Sequence, residues 1–245
     1  MIELTANGEQ FSAYRADPPG AARGALIVIH EIWGLVDHIK DVADRFAAEG
    51  YVAVAPDLMG AAGLDAVLVA ALGKDMADPA KRTAAQPKIR EAMAPMQSPR
   101  AGARIQAAVA QVFDYLQGTP EGSGRTAVAG FCFGGTYSFA LAVSEPRLVA
   151  AVPFYGHTDA GVEELSRINC PVLAFYGEED QRLADGLPDL ATRMKEAGVD
   201  FSYTLFPATG HAFFNDSNPI AYRPDPARIA WQKTLDFLAA NTPGN

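Results

Sequence analysis

A cysteine stands in this sequence where a reactive nucleophile is expected. Residues 130–134 read Gly-Phe-Cys-Phe-Gly, the pattern of a sharp turn that lifts a nucleophile between a strand and a helix. The preceding run 124–129 predicts a short buried strand, and the small and apolar residues 135–144 predict a helix. Because a helix N-terminus favours a thiolate, the pattern predicts that Cys132 is a nucleophile. A buried structural cysteine at a glycine-rich turn is the alternative.

A thiol nucleophile needs a base, and the base needs an orienting carboxylate. Asp180 follows a predicted strand at 171–176, and His211 follows another at 201–206. Enzymes with this kind of turn carry nucleophile, acid and histidine in that order along the chain, each after a strand. The order therefore predicts a triad of Cys132, Asp180 and His211.

Other residues are open to the same roles. Glu178, Glu179 and Asp185 are alternatives for the acid, and His157, which follows a predicted strand, is an alternative base. His30 ends a predicted strand and His38 begins a predicted helix, so we expect both to be structural or to lie beside the catalytic residues.

The tetrahedral oxyanion of acyl transfer requires backbone N–H donors. One is expected from Phe133, the residue after the nucleophile. The other is expected from the loop 30–34 (His-Glu-Ile-Trp-Gly) after the predicted strand 25–29, and we assign it to Ile32. Trp33 is expected to form a wall of the substrate pocket, with core packing as its alternative.

The elements that must position these residues alternate along the chain, which predicts a mostly parallel sheet covered on both faces. From 57 to about 99 no strand is evident, and we expect a helical excursion, at about 59–99, over the carboxyl edge of the sheet in a single domain of 245 residues. The predicted strands are 11–15, 25–29, 51–55, 124–129, 148–154, 171–176 and 201–206, and the predicted helices are 37–49, 104–116, 135–144, 187–197 and 226–240.

The amino-acid composition and the charge of the chain argue against several classes of function. The net charge is −9 and no basic cluster exceeds Lys81-Arg82, which argues against binding to nucleic acid or to an anionic membrane. No signal peptide is evident from Met1 onward, so we expect a cytoplasmic protein. With two cysteines a disulfide framework is not expected, and Cys170 is expected in the core. No metal-ligand spacing is present, so we expect no metal.

Taken together, these motifs resemble the dienelactone hydrolase family, also called carboxymethylenebutenolidases, within the α/β-hydrolase superfamily. The resemblance rests on residues 30–34, 130–135, 177–180 and 210–215 and covers most of the chain. It implies the α/β-hydrolase fold, with a mostly parallel sheet of about eight strands and helices on both faces. It also implies hydrolysis of small lactones or carboxylic esters by Cys132, His211 and Asp180, with no cofactor.

The resemblance also gives a role to Glu31. The matching glutamate of the family contacts the resting cysteine and helps to form the thiolate when substrate binds. Such gating protects an exposed thiolate from oxidation. A buried carboxylate paired with an arginine is the alternative for Glu31.

The sequence departs from the family at the position that binds the substrate carboxylate. The family places an arginine four residues after the catalytic histidine, where this chain has Asn215. A neutral amide lacks a charge-assisted clamp, and Arg82 or Arg90 is a candidate replacement. Tyr155 and Phe213 are further expected pocket residues.

Three functions therefore stay open: a lactone or ester hydrolase of the family's type, a promiscuous carboxylesterase on neutral esters, and a non-catalytic relative that binds ligands or senses thiol chemistry. The expected partner is a small-molecule substrate, and the expected state is a monomer or small homo-oligomer.

Overall fold

A single sheet of eight strands organises the computed structural model, which describes residues 1–78 and 80–242. Across the sheet the strand order is β1-β2-β4-β3-β5-β6-β7-β8. The pairs β1/β2 and β2/β4 are antiparallel, and all the remaining pairs are parallel. This is the predicted α/β-hydrolase architecture. The strands are β1 (Ile2–Ala6), β2 (Glu9–Ala16), β3 (Gly24–Ile29), β4 (Tyr51–Pro56), β5 (Thr126–Phe131), β6 (Ala151–Phe154), β7 (Val172–Gly177) and β8 (Phe201–Phe206).

Helices follow most of the strands, and the segment from Leu58 to Gln97 is helical in its larger part. Asp57 and Asp65 begin two of its helices by accepting a hydrogen bond from the N–H three residues later, at 3.0 Å in both cases. No helix within the described residues has both the length and the apolar character needed to cross a bilayer. The helices are α1 (Asp37–Ala48), α2 (Leu58–Ala61), α3 (Ala66–Ala77), α4 (Arg82–Met93), a 3₁₀ helix (Ala94–Gln97), α5 (Pro99–Gln117), α6 (Phe133–Ser144), α7 (Val162–Leu165), α8 (Gln181–Glu196) and α9 (Pro224–Asn241).

The core lies on the central strands. Every residue of β3, β4, β5 and β7 is buried, as expected for parallel strands with helices on both faces. The edge strand β8 instead keeps Tyr203 and Leu205 exposed. The continuous apolar runs in the sequence therefore correspond to central strands, whose carboxyl ends lie side by side.

The structure differs from the sequence-based prediction mainly at element boundaries. Strand β1 is absent from the sequence-based prediction, because a run of only five residues is a weak signal by itself, and it forms by pairing with β2. Strand β6 begins at Ala151 rather than at 148. Helix α8 begins at Gln181, six residues before the predicted start, directly after Asp180.

Backbone packs directly on backbone where α6 begins. A Cβ added to Gly134 would overlap the carbonyl oxygen of Ile29 and lie 2.8 Å from that of His30. A Cβ on Gly130 would overlap the carbonyl of Gly134. Only glycine allows this approach, so the two glycines hold the N-terminus of α6 against the carboxyl end of β3.

We expect Gly134→Ala to destabilise the protein by about 1–3 kcal/mol, because the added methyl forces α6 away from β3. The matched control is Gly186→Ala on α8, where an added Cβ meets nothing within 4 Å. That change is expected to raise stability by about 0.5–1 kcal/mol through helix propensity. Urea unfolding of both variants measures the difference. Equal stability of Gly134→Ala and wild type would show that the close approach is not needed.

Candidate active site

Cys132 lies at the turn between β5 and α6 in a conformation that few non-glycine residues adopt. Its φ is 56° and its ψ is −112°. Its N–H donates to the carbonyl of Phe154 at 3.0 Å, and its carbonyl accepts from the N–H of Thr136 at 3.1 Å. The surrounding backbone thus holds a strained residue in place, as is typical of functional turns. The half-buried thiol lines a cavity of about 440 Å³, called the triad cavity below.

Asp180 and His211 reach the same cavity from the ends of two other strands. Asp180 follows β7 and is the residue before α8, while His211 follows β8. Nδ1 of His211 forms a short hydrogen bond with Oδ2 of Asp180, and Cys132 lies close enough to the ring to raise its pKa. The three residues predicted from strand order are therefore brought together, with the imidazole between the carboxylate and the thiol.

Electrostatics favours a charged imidazole at this position. Burial by itself lowers the pKa of His211, but the hydrogen bonds and charges of Asp180 and Cys132 outweigh it and raise that pKa to about 10. The imidazolium is therefore the stable form while the sulfur carries negative charge. Loss of charge on the sulfur would remove part of this stabilisation.

Two residues that line the triad cavity together with Cys132 have backbone N–H groups without a hydrogen-bond acceptor among the described residues. They are Ile32, in the loop after β3, and Phe133, at the start of α6. Unbonded N–H groups next to a thiol at a helix N-terminus are the kind of donors that an oxyanion hole requires.

Comparison with known proteins identifies the family to which this arrangement corresponds. Residues 11–242 match the model of the dienelactone hydrolase family. The chain belongs to the dienelactone hydrolase family. A candidate carboxymethylenebutenolidase of Saccharolobus solfataricus is 30% identical over 97% of this chain and 96% of that protein. Protein usf of Aquifex pyrophilus is 33% identical over 97% of this chain and 96% of its own length. The crystal structure of a candidate dienelactone hydrolase from Klebsiella pneumoniae has a TM-score of 0.80 and 26% identity, with 97% of each chain covered.

Glu31, to which the family resemblance gave a gating role, is buried beside the triad. Its carboxylate accepts hydrogen bonds from the Tyr155 hydroxyl at 3.1 Å and from the Asn215 amide at 2.7 Å. Within the described chain it forms none with Cys132. Burial raises the pKa of Glu31, although these two hydrogen bonds and the nearby charges of two histidines oppose the shift. The alternative for Glu31, a pair with an arginine, is not what the structure shows, because the partner is the amide of Asn215.

Tyr155 connects Glu31 to the triad. It follows β6 with a φ of 39°, and its ring lies 4.9 Å from that of His211, between centroids. Burial, together with the negative charges of Glu31 and Cys132, raises the pKa of Tyr155 well above its ordinary value. The phenol therefore stays neutral and can donate its proton only as a hydrogen bond.

Several pocket residues expected from the sequence lie elsewhere. Trp33, Arg82 and Asn215 line a second cavity of about 500 Å³, which shares no lining residue with the triad cavity. The side-chain amide of Asn215 donates a hydrogen bond to Glu31, and the ring of Trp33 packs against Gly73 of α3. Phe213 is fully buried behind Tyr155, with ring centroids 5.5 Å apart, and Arg90 is exposed on α4 and lines neither cavity.

The triad cavity is also lined by His157, which the sequence analysis gave as the alternative base. Three further lining residues were not assigned to the site, namely Thr136, Arg182 and Leu183. His157 makes a hydrogen bond of 3.1 Å with the hydroxyl of Thr136, whereas His211 is the histidine of this cavity that bonds a carboxylate in the described residues. Arg182 lies in the first turn of α8, two residues after Asp180. The sequence signal for it is this closeness to the predicted acid.

We expect Asp180→Asn to lower turnover by about 10²- to 10⁴-fold, because an amide cannot hold His211 in the tautomer and charge state that it needs. The control is Glu179→Gln, which changes an exposed neighbouring carboxylate and should leave turnover near that of the wild type. Initial rates and thermal unfolding of both variants test this. Normal turnover in Asp180→Asn, or a comparable loss in Glu179→Gln, would reassign the acid.

The raised pKa of His211 also predicts how stability depends on pH. Its pKa is 6.5 in the unfolded chain and about 10 in the folded protein, so the folded state binds this proton more tightly. The resulting stabilisation is complete below pH 6.5 and is lost as the pH rises through about 10. The difference in free energy of unfolding between wild type and His211→Gln should shrink over this range in urea titrations. A difference that grows with pH would contradict the assignment.

Proposed function

We propose that the protein hydrolyses small carboxylic esters or lactones through an acyl-thioester on Cys132. One observation carries this proposal: a strained cysteine, a histidine–aspartate pair and two residues with unbonded backbone N–H groups line one cavity of about 440 Å³. Each of these groups has a separate part in acyl transfer, and their convergence is what the reaction requires.

Acylation follows from this arrangement. The Cys132 thiolate attacks the carbonyl carbon, and the π electrons of the carbonyl move to its oxygen. The N–H groups of Ile32 and Phe133 hold the oxyanion, and one such donor is worth about 3–4 kcal/mol in the transition state. When the intermediate collapses, the C–O bond of the ester breaks and the His211 imidazolium protonates the departing alkoxide. A thioester on Cys132 and an alcohol result.

Deacylation uses the change in charge that acylation causes. The sulfur of a thioester is neutral, so the contribution of Cys132 that raises the pKa of His211 disappears, while burial still lowers it. The neutral imidazole can then remove a proton from water, which attacks the thioester carbonyl. The C–S bond breaks, the carboxylic acid leaves and the thiolate–imidazolium pair is restored. Asp180 orients the ring in both half-reactions.

A gating role for Glu31 is part of the proposal. To take the proton of a resting thiol, the carboxylate would have to exchange its bond to Tyr155 for one to Cys132, and after product release it would return that proton to the thiolate. The carboxylate would have to move only a small distance, because Tyr155, to which it is bonded, also lies beside the triad. The raised pKa of Glu31 suits a group that accepts a proton during the cycle.

Hydrolysis of neutral esters is the second candidate, and the position of Asn215 favours it. The family's carboxylate-binding position here carries an amide that is bound to Glu31. Arg182 brings the one guanidinium among the described residues that line the triad cavity, whereas Lys74 and Arg82 line the second cavity. Recognition of a substrate carboxylate thus depends on residues other than position 215.

We also propose a cytoplasmic location, a small-molecule substrate, and a monomer or small homo-oligomer. Both cysteines are free thiols, which suits a reducing compartment. The net charge of −9 gives no attraction for nucleic acid or anionic membranes.

Initial rates on dienelactone and on p-nitrophenyl acetate test the proposal. We expect hydrolysis by the wild type and a loss of at least about 10³-fold in Cys132→Ala, because the covalent route is closed. Cys170→Ala is the matched control, since Cys170 is buried away from the triad cavity and should be dispensable. Activity that survives Cys132→Ala would overturn the assignment of the nucleophile.

The same rates separate the two substrate classes. If dienelactone has a lower KM than the neutral ester, a cation of the cavity binds its carboxylate and the family's activity is supported. If only the neutral ester reacts and Cys132 is required, the protein is an esterase on this scaffold.

A further inference from the structure

A buried histidine that the mechanism does not use lies directly behind the oxyanion donors. His30 follows β3, its side chain is fully buried, and it is not among the residues that line the triad cavity. Its Nε2 lies 3.0 Å from the backbone nitrogen of Leu58, and its Nδ1 lies 2.5 Å from the carbonyl oxygen of Glu31. Both ring nitrogens are therefore committed to backbone groups.

These two partners define the tautomer of His30. A backbone N–H can only donate, so Nε2 accepts the bond from Leu58 and carries no proton. A carbonyl oxygen can only accept, so Nδ1 carries the proton and donates it to Glu31. Burial lowers the pKa of His30, which keeps the ring in the neutral form that this pattern requires.

The bond to Glu31 controls one of the oxyanion donors. The carbonyl of Glu31 and the N–H of Ile32 belong to the same planar trans peptide unit, so fixing the oxygen also fixes the direction of the N–H. The same oxygen accepts a second hydrogen bond, from the N–H of Gly34 at 3.2 Å. Two donors on the oxygen polarise the peptide and strengthen its N–H as a donor.

The face of the ring supports the other donor. The rings of His30 and Phe133 stack with centroids 5.8 Å apart and an angle of 8° between planes. Phe133 supplies the second free N–H, and Gly134 next to it packs against the carbonyl of His30. One imidazole thus contacts the Glu31–Ile32 peptide, which carries one donor, and the ring of Phe133, which carries the other.

We propose that His30 is a positioning residue that sets the oxyanion hole by holding the Glu31–Ile32 peptide with its Nδ1 proton. The inference rests on the proposed hydrolase function, in which the N–H of Ile32 binds the oxyanion. His30 does not touch the substrate. We expect His30 to affect the transition state more than substrate binding. The hydrogen bond from the N–H of Ile32 to the substrate's carbonyl oxygen strengthens when negative charge develops on that oxygen.

Two substitutions at this position separate positioning from packing. His30→Leu keeps the apolar volume and removes both hydrogen bonds, whereas the amide of His30→Gln can donate to Glu31 and accept from Leu58. We expect His30→Leu to lower kcat by about 10²- to 10³-fold with KM changed less than about threefold. His30→Gln should recover at least about tenfold of that loss. Phe113→Leu, a fully buried change on α5, is the control for lost stability and should leave kcat unchanged.

The tautomer of His30 in the wild type gives a test that does not depend on activity or on the folding of a variant. Nitrogen-15 NMR of the histidine rings should show Nδ1 protonated and Nε2 unprotonated for His30 at neutral pH. The opposite tautomer, or a charged ring, would overturn the inference.

The kinetic outcomes also separate this inference from the proposed function. If Cys132-dependent hydrolysis is present and His30→Leu keeps the wild-type kcat, the positioning role is wrong and the function stands. If His30→Leu and His30→Gln lose activity equally, the role is also wrong, because the amide should restore the bond to Glu31. If the wild type shows no Cys132-dependent hydrolysis, the proposed function fails and the role of His30 in it fails as well.

Discussion

The direct packing of the N-terminus of α6 on the carboxyl end of β3 is the contact on which the rest of the site depends. Gly134 permits it, because any side chain there would overlap the carbonyl of Ile29. The approach places the thiol of Cys132 and the N–H of Phe133 beside the loop that carries Ile32. The two N–H groups that we propose as oxyanion donors, those of Ile32 and Phe133, belong to the two segments that this packing brings together.

The parts of the site that the sequence could predict are those that depend on strand ends. Parallel strands have their carboxyl ends along one edge of the sheet, so residues that follow β5, β7 and β8 must lie near one another. The apolar runs that mark central strands are long and continuous, which made these ends easy to find. The positions of Cys132, Asp180 and His211 followed from that topology together with one turn motif.

The parts that could not be predicted depend on which way loop side chains turn. Asn215 was expected to face the substrate, and instead it binds the buried carboxylate of Glu31. Phe213, two residues earlier, is turned into the core rather than the cavity. Trp33 and Arg82 line a different cavity, where Trp33 packs on Gly73 of α3 and Arg82 is the first residue of α4. No periodic pattern in the sequence encodes such choices, since each depends on contacts with segments that are distant in the sequence.

The central claim is that Cys132 carries the acyl group during turnover. The most direct measurement is intact mass spectrometry of the protein quenched in acid during hydrolysis of a slowly deacylating ester, followed by proteolysis to locate the added mass. We expect the mass of one acyl group on the peptide that contains Cys132, removable by hydroxylamine as a thioester is. An acyl group on another residue, or turnover by the wild type with no acyl-enzyme even when deacylation is rate-limiting, would contradict the account.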